Sequence, residues 1–173
     1  GRIMAGRVAE VPRVEHAMDA ALMLTAVSTR LGDRCGLVAF DRRVRAVVPP
    51  AWHSDQLSRV SEALYRLEPE LAESDYTGAF AEVVARFRRR AMLVVLTDLN
   101  EQAVADSVLP ALPLITRTHL VVVAAVQDPQ VLRWAHRRPT DAEEAFRQVA
   151  ALQALEDRRR TTARLRAVGA TVV

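Results

Sequence analysis

Short apolar runs along this chain alternate with segments in which apolar residues recur at roughly every third or fourth position. Such runs, when bounded by turn residues, are typical of strands buried on both faces, and the helical spacing is typical of amphipathic helices that cover a sheet. Strands are predicted at residues 35–40, 43–48, 91–96, 119–126 and 171–173. Helices are predicted at residues 12–31, 54–68, 74–90, 101–109, 128–134 and 141–168. Strands that alternate with helices indicate an α/β fold with a mainly parallel sheet.

The first two predicted strands form a hairpin that supplies one antiparallel edge strand to this sheet. A tight turn at residues 41–42 joins them, and the second strand alternates arginine with apolar residues, which suits an edge position. Pro49 and Pro50 follow, and they are expected to stop this strand because proline has no N–H to donate to a β ladder.

Capping residues and arginine runs mark the predicted helix ends. Ser54 is the predicted N-cap of the second helix, and Ser74 or Asp75 is the predicted N-cap of the third. The third helix is predicted to end in the arginine run 88–90, whose charge complements the helix dipole. This run and the run 158–160 are most simply solvated helix faces, and contact with an acidic partner is the alternative. The apolar positions of the last helix are Phe146, Val149, Leu152, Leu155 and Leu165.

Composition supports one domain over residues 1–173 and argues against nucleic-acid binding. Half of the 173 residues are hydrophobic, which is enough for a core. The 24 basic residues are all arginine and are interleaved with 21 acidic residues, so the net charge is only +3. Aromatic residues make up 5% of the chain, too few for a base-stacking surface. Trp52 and Trp134 are expected near loops, where packing at the edge of the core is commoner than anchoring an interface.

The single cysteine and the lack of a long apolar run indicate a cytoplasmic chain. Cys35 alone can form neither an internal disulfide nor a cysteine-based zinc site, which favours a reducing compartment. No uninterrupted apolar run reaches the roughly 20 residues of a membrane helix. Because the chain begins at Gly1 without an initiator methionine, we expect it to be a fragment, truncated at both ends, of a longer protein.

Candidate chemistry lies where the predicted strands end. In open parallel sheets ligands bind at the carboxyl ends of strands, and the segments 1–4, 73–77 and 97–100 are expected to meet at such an edge. Asp98 directly follows an apolar strand and could serve as a metal ligand, a phosphoryl acceptor or a helix N-cap. From position alone, a helix N-cap is at least as common a role for Asp98 as a metal ligand or a phosphoryl acceptor. Ser74 and Asp75 could likewise be helix caps whether or not they bind anything.

Three segments together resemble the metal-ion-dependent adhesion site of von Willebrand factor A domains. Thr97-Asp98 after Val-Val-Leu resembles its third metal-site segment, Ser74-Asp75-Tyr76 resembles its threonine-bearing loop, and residues 1–4 resemble the tail of its Asp-x-Ser-x-Ser motif. The resemblance implies a three-layer, Rossmann-like fold whose first central strand lies just before Gly1. Because buried strands need hydrogen-bond partners, we expect a segment from outside this chain to complete the sheet.

Longer stretches are similar to one bacterial group of such domains, the domain-of-unknown-function 58 family. They are residues 32–41, 64–69 and 73–76, and the run 32–41 is the most specific of them. Members of this family are usually associated with MoxR-type AAA+ ATPases. The resemblance therefore implies a non-catalytic protein-interaction module that works with an AAA+ ATPase in assembling or maturing other proteins. It also implies a parent protein that can be anchored to the inner face of the membrane.

The resemblance assigns a partner-binding rim but only a degenerate metal site. The rim residues are Ser74, Asp75, Tyr76, Thr77, Asp98 and Asn100. Gly1 and Ile3 occupy positions where the family motif has serines, and neither side chain offers an oxygen. Ser74 and Asp98 alone are a poor set for Mg²⁺, which prefers several oxygen ligands. No cofactor is therefore expected, and Mg²⁺ would bind only weakly.

Two other functions stay open. One is a Mg²⁺-dependent phosphoryl-transfer enzyme that uses Asp98, although the chain has no lysine and no P-loop or nucleophile-elbow motif. The other is a structural scaffold domain of a membrane-associated assembly, in which the rim is inert. We expect a protein partner, no enzymatic activity, no nucleic acid and no membrane segment in this chain.

Overall fold

The computed structural model describes residues 7–8, 11–67, 74–97, 104–125 and 128–173. The chain forms two compact units, here called unit 1 (Gly1–Arg89) and unit 2 (Arg90–Val173). The single domain predicted over residues 1–173 stays a prediction.

Unit 1 combines antiparallel strand pairs with helices. Its described strands are β1 (Arg7–Val8), β2 (Val11–Pro12), β3 (Cys35–Phe40) and β4 (Val44–Ala51). Its described helices are α1 (Arg13–Arg30), α2 (Gln56–Tyr65) and α3 (Tyr76–Arg86). β3 and β4 form the predicted antiparallel hairpin, and β1 pairs with β2. Val60 and Leu64 of α2, and Phe80 and Val83 of α3, are buried at the helical spacing that the sequence shows.

β4 is longer than predicted, because Pro49 and Pro50 continue the strand instead of stopping it. The ladder with β3 is irregular at this point. Between the pairs Cys35–Ala51 and Leu37–Val48, β4 has two residues where β3 has one, which is a β-bulge. Proline is tolerated there since a bulge does not need the N–H that proline lacks.

The start of α2 and the end of α3 also differ from the prediction. Asp55, and not Ser54, precedes α2, and its side chain makes no capping hydrogen bond. The helix start is fixed instead by Gln56, whose amide is turned inward to the β3–β4 hairpin. α3 ends before the arginine run 88–90, because the backbone of Phe87 leaves the helical conformation with φ −117° and ψ 83°.

Unit 2 contains a three-stranded parallel sheet in the order β5-β6-β7. The strands are β5 (Met92–Thr97), β6 (Leu120–Ala125) and β7 (Ala170–Val172). The described helical segments are a π-helical turn (Val104–Val108), α4 (Leu109–Ala111), α5 (Pro113–Thr116), α6 (Pro129–His136) and α7 (Ala142–Ala167). Val121 and Val123 of the central strand are fully buried, as expected for a covered parallel sheet. The predicted α/β class is confirmed, and unit 1 adds its separate antiparallel hairpin.

The segment predicted to be helical at residues 101–109, with kinks at Pro110 and Pro113, is helical over its described part, which forms the π-helical turn and the start of α4. Pro110 and Pro113 lie in the first turns of α4 and α5, where a missing N–H costs no hydrogen bond. The prolines therefore divide the segment into short helices, and Leu112 and Ile115 are still fully buried.

α7 is much longer than the strands that it covers. Its 26 residues span about 39 Å, whereas the six residues of β6 span about 20 Å. A turn at Gly169, where φ is +92°, leads α7 directly into β7, which is parallel to β6. The C-terminal half of α7 therefore lies along the sheet, and its N-terminal half extends past the carboxyl edge. In that half the apolar positions Phe146, Val149 and Leu152 are exposed.

Candidate functional site

The unit 1 part of the predicted rim, Ser74 to Thr77, surrounds the start of α3. Asp75 is the N-cap, since its Oδ1 accepts a hydrogen bond from the backbone N–H of Gly78 at 2.9 Å. A β-carbon on Gly78 would collide with the Asp75 carboxylate, so glycine lets this carboxylate fold over the helix end. Asp75, and not Ser74, therefore caps α3, and partner binding by these rim residues stays a prediction.

Asp41, at the carboxyl end of β3, ties this helix start to the hairpin. Its carbonyl oxygen accepts a hydrogen bond from the backbone N–H of Asp75 at 2.7 Å. Its carboxylate accepts from the backbone N–H of Arg43 at 3.2 Å and pairs with the Arg45 guanidinium at 3.0 Å. The charge of Asp41 is therefore neutralised within the turn, and its carbonyl oxygen holds the start of α3 against the hairpin.

Three aromatic rings support the rim. The Tyr76 ring lies edge-on to Phe40, with 5.3 Å between centroids and an interplanar angle of 82°. Phe80 completes the cluster at 5.8 Å from Tyr76 and 6.4 Å from Phe40. Edge-to-face contacts of this kind add to the stabilisation that burial provides. Tyr76 is thus a packing residue of unit 1, whereas Thr77 is exposed.

Asp98 and Asn100 lie outside the described residues, so their approach to Ser74 stays a prediction. In the described part of the chain, no group of three His, Cys, Asp or Glu side chains is placed to hold a metal ion. The described carboxylates next to Ser74 are engaged, Asp75 as a helix cap and Asp41 with Arg45. These residues do not fit a magnesium site, which needs several free oxygen ligands.

A groove of about 560 Å³ opens on unit 1 between α1 and the start of α2. Its lining residues are Ala26, Thr29, Arg30, Trp52, His53, Ser54 and Leu57. The indole of Trp52 lies against the ring of His53, with 4.9 Å between centroids. Trp52 is 55% exposed, so much of the indole is available to a partner. The sequence placed Trp52 near a loop but gave no indication of which helix would form the other wall.

An exposed apolar stripe on α1 borders this groove. Met23, Val27 and Leu31 recur every four residues and are 68%, 55% and 74% exposed. Ala26 and Arg30 line the groove and lie three residues after Met23 and Val27, a spacing that makes side chains neighbours on a helix, so the stripe and the groove form one surface. We call it the α1–Trp52 surface, defined as Met23, Val27, Leu31, Trp52 and Leu57. Contiguous exposed apolar residues mark interaction sites in soluble proteins.

In unit 2 the three arginines of the run 158–160 differ in how far they are buried. Arg158 is half-buried and donates to the carbonyl oxygen of Ala125, the last residue of β6, at 3.3 Å, whereas the other two arginines are exposed. Burial lowers the pKa of the Arg158 guanidinium, although arginine stays protonated. The interpretation of the run as a solvated face is wrong for Arg158. The sequence did contain the signal, since Arg158 is seven residues from both Ala151 and Leu165, which are buried on the same helix face.

Glu144 holds the connection between α6 and α7. Its carboxylate accepts hydrogen bonds from the backbone N–H and the hydroxyl of Thr140, both at 2.9 Å, and pairs with Arg137 at 2.8 Å. The pKa of Glu144 is lowered, mainly by the backbone hydrogen bond from Thr140, then by the Thr140 hydroxyl and the charge of Arg137. The Trp134 ring lies 5.2 Å from the Arg137 guanidinium and 5.1 Å from that of Arg147.

Glu144→Gln is expected to destabilise the protein at neutral pH and to have little effect in acid. Because the folded-state pKa of Glu144 lies below its ordinary value of 4.5, its ionised form stabilises the fold above that pH. This contribution is lost as pH falls through the folded-state pKa. Urea unfolding midpoints of both proteins, measured at pH 7 and near pH 3, test this. A midpoint difference that persists unchanged in acid would show that Glu144 acts by packing and not by charge.

The described residues define an α/β protein with an exposed apolar surface beside a groove in unit 1. A family model described as a protein of unknown function, DUF58, matches residues 4–145. Because this match covers most of the 173 residues, the chain belongs to the DUF58 family, and the resemblance of residues 32–41, 64–69 and 73–76 is confirmed at that level. No curated protein and no solved structure matches the chain. Among the described helices, none has the length and apolar character that crossing a bilayer requires.

Proposed function

We propose that this DUF58 chain is a non-catalytic protein-interaction module and that the α1–Trp52 surface is its main partner contact. The observation that carries the proposal is the exposed stripe of Met23, Val27 and Leu31 beside the exposed Trp52. A tryptophan set among apolar residues is typical of an interface hot spot, because the indole offers a large area with few rotatable bonds.

The partner that we propose is a MoxR-type AAA+ ATPase, with which the module assembles or matures other proteins in the cytoplasm. Family membership supports this partner. The groove adds a chemical constraint, since Arg30 lines it and none of its described lining residues is a carboxylate. A partner segment with an apolar face and an acidic residue would complement this lining, because matched charges favour the correct encounter.

The von Willebrand A-like architecture and the predicted rim belong to the same proposal. The parallel sheet of unit 2 and the hairpin of unit 1 support this architecture. The rim supplies a second contact, for which the residues proposed are Ser74, Asp75, Tyr76, Thr77, Asp98 and Asn100. A rim contact would use exposed polar groups such as Thr77, whereas the α1–Trp52 surface would supply most of the apolar burial.

Trp52→Ala is expected to weaken binding to the purified MoxR-type ATPase about tenfold or more, because truncation of an interface tryptophan costs about 2 kcal/mol. Titration calorimetry measures this affinity directly. Tyr65→Ala is the matched control, since Tyr65 is an aromatic residue of α2 that is 92% exposed and does not line the groove. Its removal is expected to leave the affinity unchanged.

The same titration distinguishes the two proposed contacts. The double substitution Ser74→Ala and Asp98→Ala is expected to weaken binding less than Trp52→Ala does. If the double substitution abolishes binding while Trp52→Ala has no effect, the main contact is the rim and not the α1–Trp52 surface. If none of these variants changes the affinity for the ATPase, the proposed function is wrong.

A further inference from the structure

The carboxyl edge of the unit 2 sheet has a half-buried positive charge. Arg158 donates one hydrogen bond to the carbonyl oxygen of Ala125 at the end of β6. Ala125 is the ladder partner of Thr97, the last residue of β5. The guanidinium therefore lies at the edge where parallel α/β sheets usually bind their ligands.

Within the described residues, Arg158 uses only a small part of its hydrogen-bonding capacity. A guanidinium has five N–H donors, and the one acceptor found for Arg158 in the described part of the chain is a neutral carbonyl. In the same helix Arg160 has a carboxylate partner, Glu156, at 3.4 Å. No ion pair of this kind is found for Arg158 among the residues that the structure describes. Burial lowers the pKa of this guanidinium.

A second polar group, for which the described residues offer no partner, lies one turn further along the same face of α7. Thr161 is 1% exposed, and its hydroxyl oxygen has no hydrogen-bond partner among the described residues. Residues three apart on a helix are neighbours, so Arg158 and Thr161 share the sheet-facing side. Buried polar groups are normally satisfied, and each exception needs an explanation.

We propose that Arg158 is the anchor of a carboxylate-binding site that takes an aspartate or glutamate side chain of a protein partner. This inference rests on the proposed function and names a chemical feature of the partner. A guanidinium pairs with a planar carboxylate through two parallel hydrogen bonds. One positive charge matches a monoanionic carboxylate, whereas a phosphate dianion would need a second cation, and the exposed Arg160 is already paired with Glu156. Arg158 lies beyond residues 4–145, so the family match does not include this site.

The probe for this site is a hexaglutamate peptide, and its affinity for the full chain is measured by titration calorimetry. Arg158→Gln is expected to weaken binding about tenfold, the usual loss when a charge-assisted bidentate contact is removed. Arg158→Lys is expected to retain part of the affinity because it keeps the charge but not the planar fork. Arg159→Gln is the control, since it removes an exposed arginine from the same run and is expected to change nothing. Circular dichroism shows that each variant is folded.

Three results would contradict the proposed carboxylate-binding site. One is an equal loss of affinity in Arg158→Gln and Arg159→Gln, which indicates non-specific attraction to the arginine run. Another is unchanged affinity in both Arg158 variants. The third is displacement of the peptide by inorganic phosphate at equal concentration, which indicates a free-anion site. Trp52→Ala separates this inference from the proposed function, because it is expected to weaken ATPase binding without changing hexaglutamate binding.

Discussion

Replacing Gly36 with alanine is expected to lower the free energy of unfolding by about 3 kcal/mol. A β-carbon at this position would lie 2.7 Å from the carbonyl oxygen of Val48 and 2.8 Å from the nitrogen of Pro50. Both atoms belong to the backbone of β4 and cannot turn aside as a side chain can. The hairpin would have to open at its bulge, and this cost is a large fraction of a typical domain stability of about 5–15 kcal/mol.

Chemical denaturation followed by circular dichroism measures this loss. Gly32→Ala is the control, because Gly32 has φ +83° but no atom within 4 Å of the added carbon. Its substitution is expected to cost only the backbone strain of a left-handed alanine, about 1 kcal/mol. If the two substitutions cost the same, close approach of β4 is not what requires glycine at residue 36. Because Trp52 directly follows β4, its fluorescence is expected to change in Gly36→Ala but not in Gly32→Ala.

Local patterns were sufficient to predict the elements whose boundaries are set by local chemistry. β3 begins and ends where the apolar run predicts, and Asp128 and Asp141 cap α6 and α7 as their positions indicate. The extension of β4 through Pro49 was not predictable from propensity, because the bulge that tolerates it arises from pairing with β3. Tertiary pairing overrides a strand breaker when the strand does not need the missing N–H.

The candidate surfaces were harder to predict from the sequence than the helices and strands, because they depend on tertiary structure. Phe146 is apolar but exposed, whereas Leu165 on the same helix is buried, because their separation of 19 residues places Phe146 about 100° around the helix from the buried face of Ala151 and Leu165. The α1–Trp52 surface arises from a loop and a helix that are distant in sequence, so no motif could reveal it. Arg158 is the exception, because the sequence could have indicated its burial. It lies seven residues before Leu165, a spacing that puts both side chains on the same face of the helix. The predicted approach of Asp98 to Ser74 stays a prediction.

The position of the groove depends on how α2 begins. Gln56, its first residue, is fully buried and donates from its side-chain amide to the carbonyl oxygens of Cys35 at 2.6 Å and Pro49 at 2.9 Å. These carbonyls lie on opposite strands of the hairpin, that of Cys35 next to the bulge and that of Pro49 within it. One side chain thus joins β3, β4 and α2, and it fixes the connection that contains Trp52.

Gln56→Met is expected to destabilise the protein by about 1–3 kcal/mol, because it preserves the volume of a fully buried side chain but removes the donor of two part-buried hydrogen bonds. Gln148→Met is the matched control. The Gln148 amide also donates to two carbonyls, those of Ala135 at 3.4 Å and Arg137 at 2.7 Å, but Gln148 is only half-buried whereas Gln56 is fully buried, so water can replace the Gln148 amide. Its substitution should cost under about 1 kcal/mol. Equal unfolding free energies for the two variants would mean that the two hydrogen bonds of Gln56 are not what joins α2 to the hairpin.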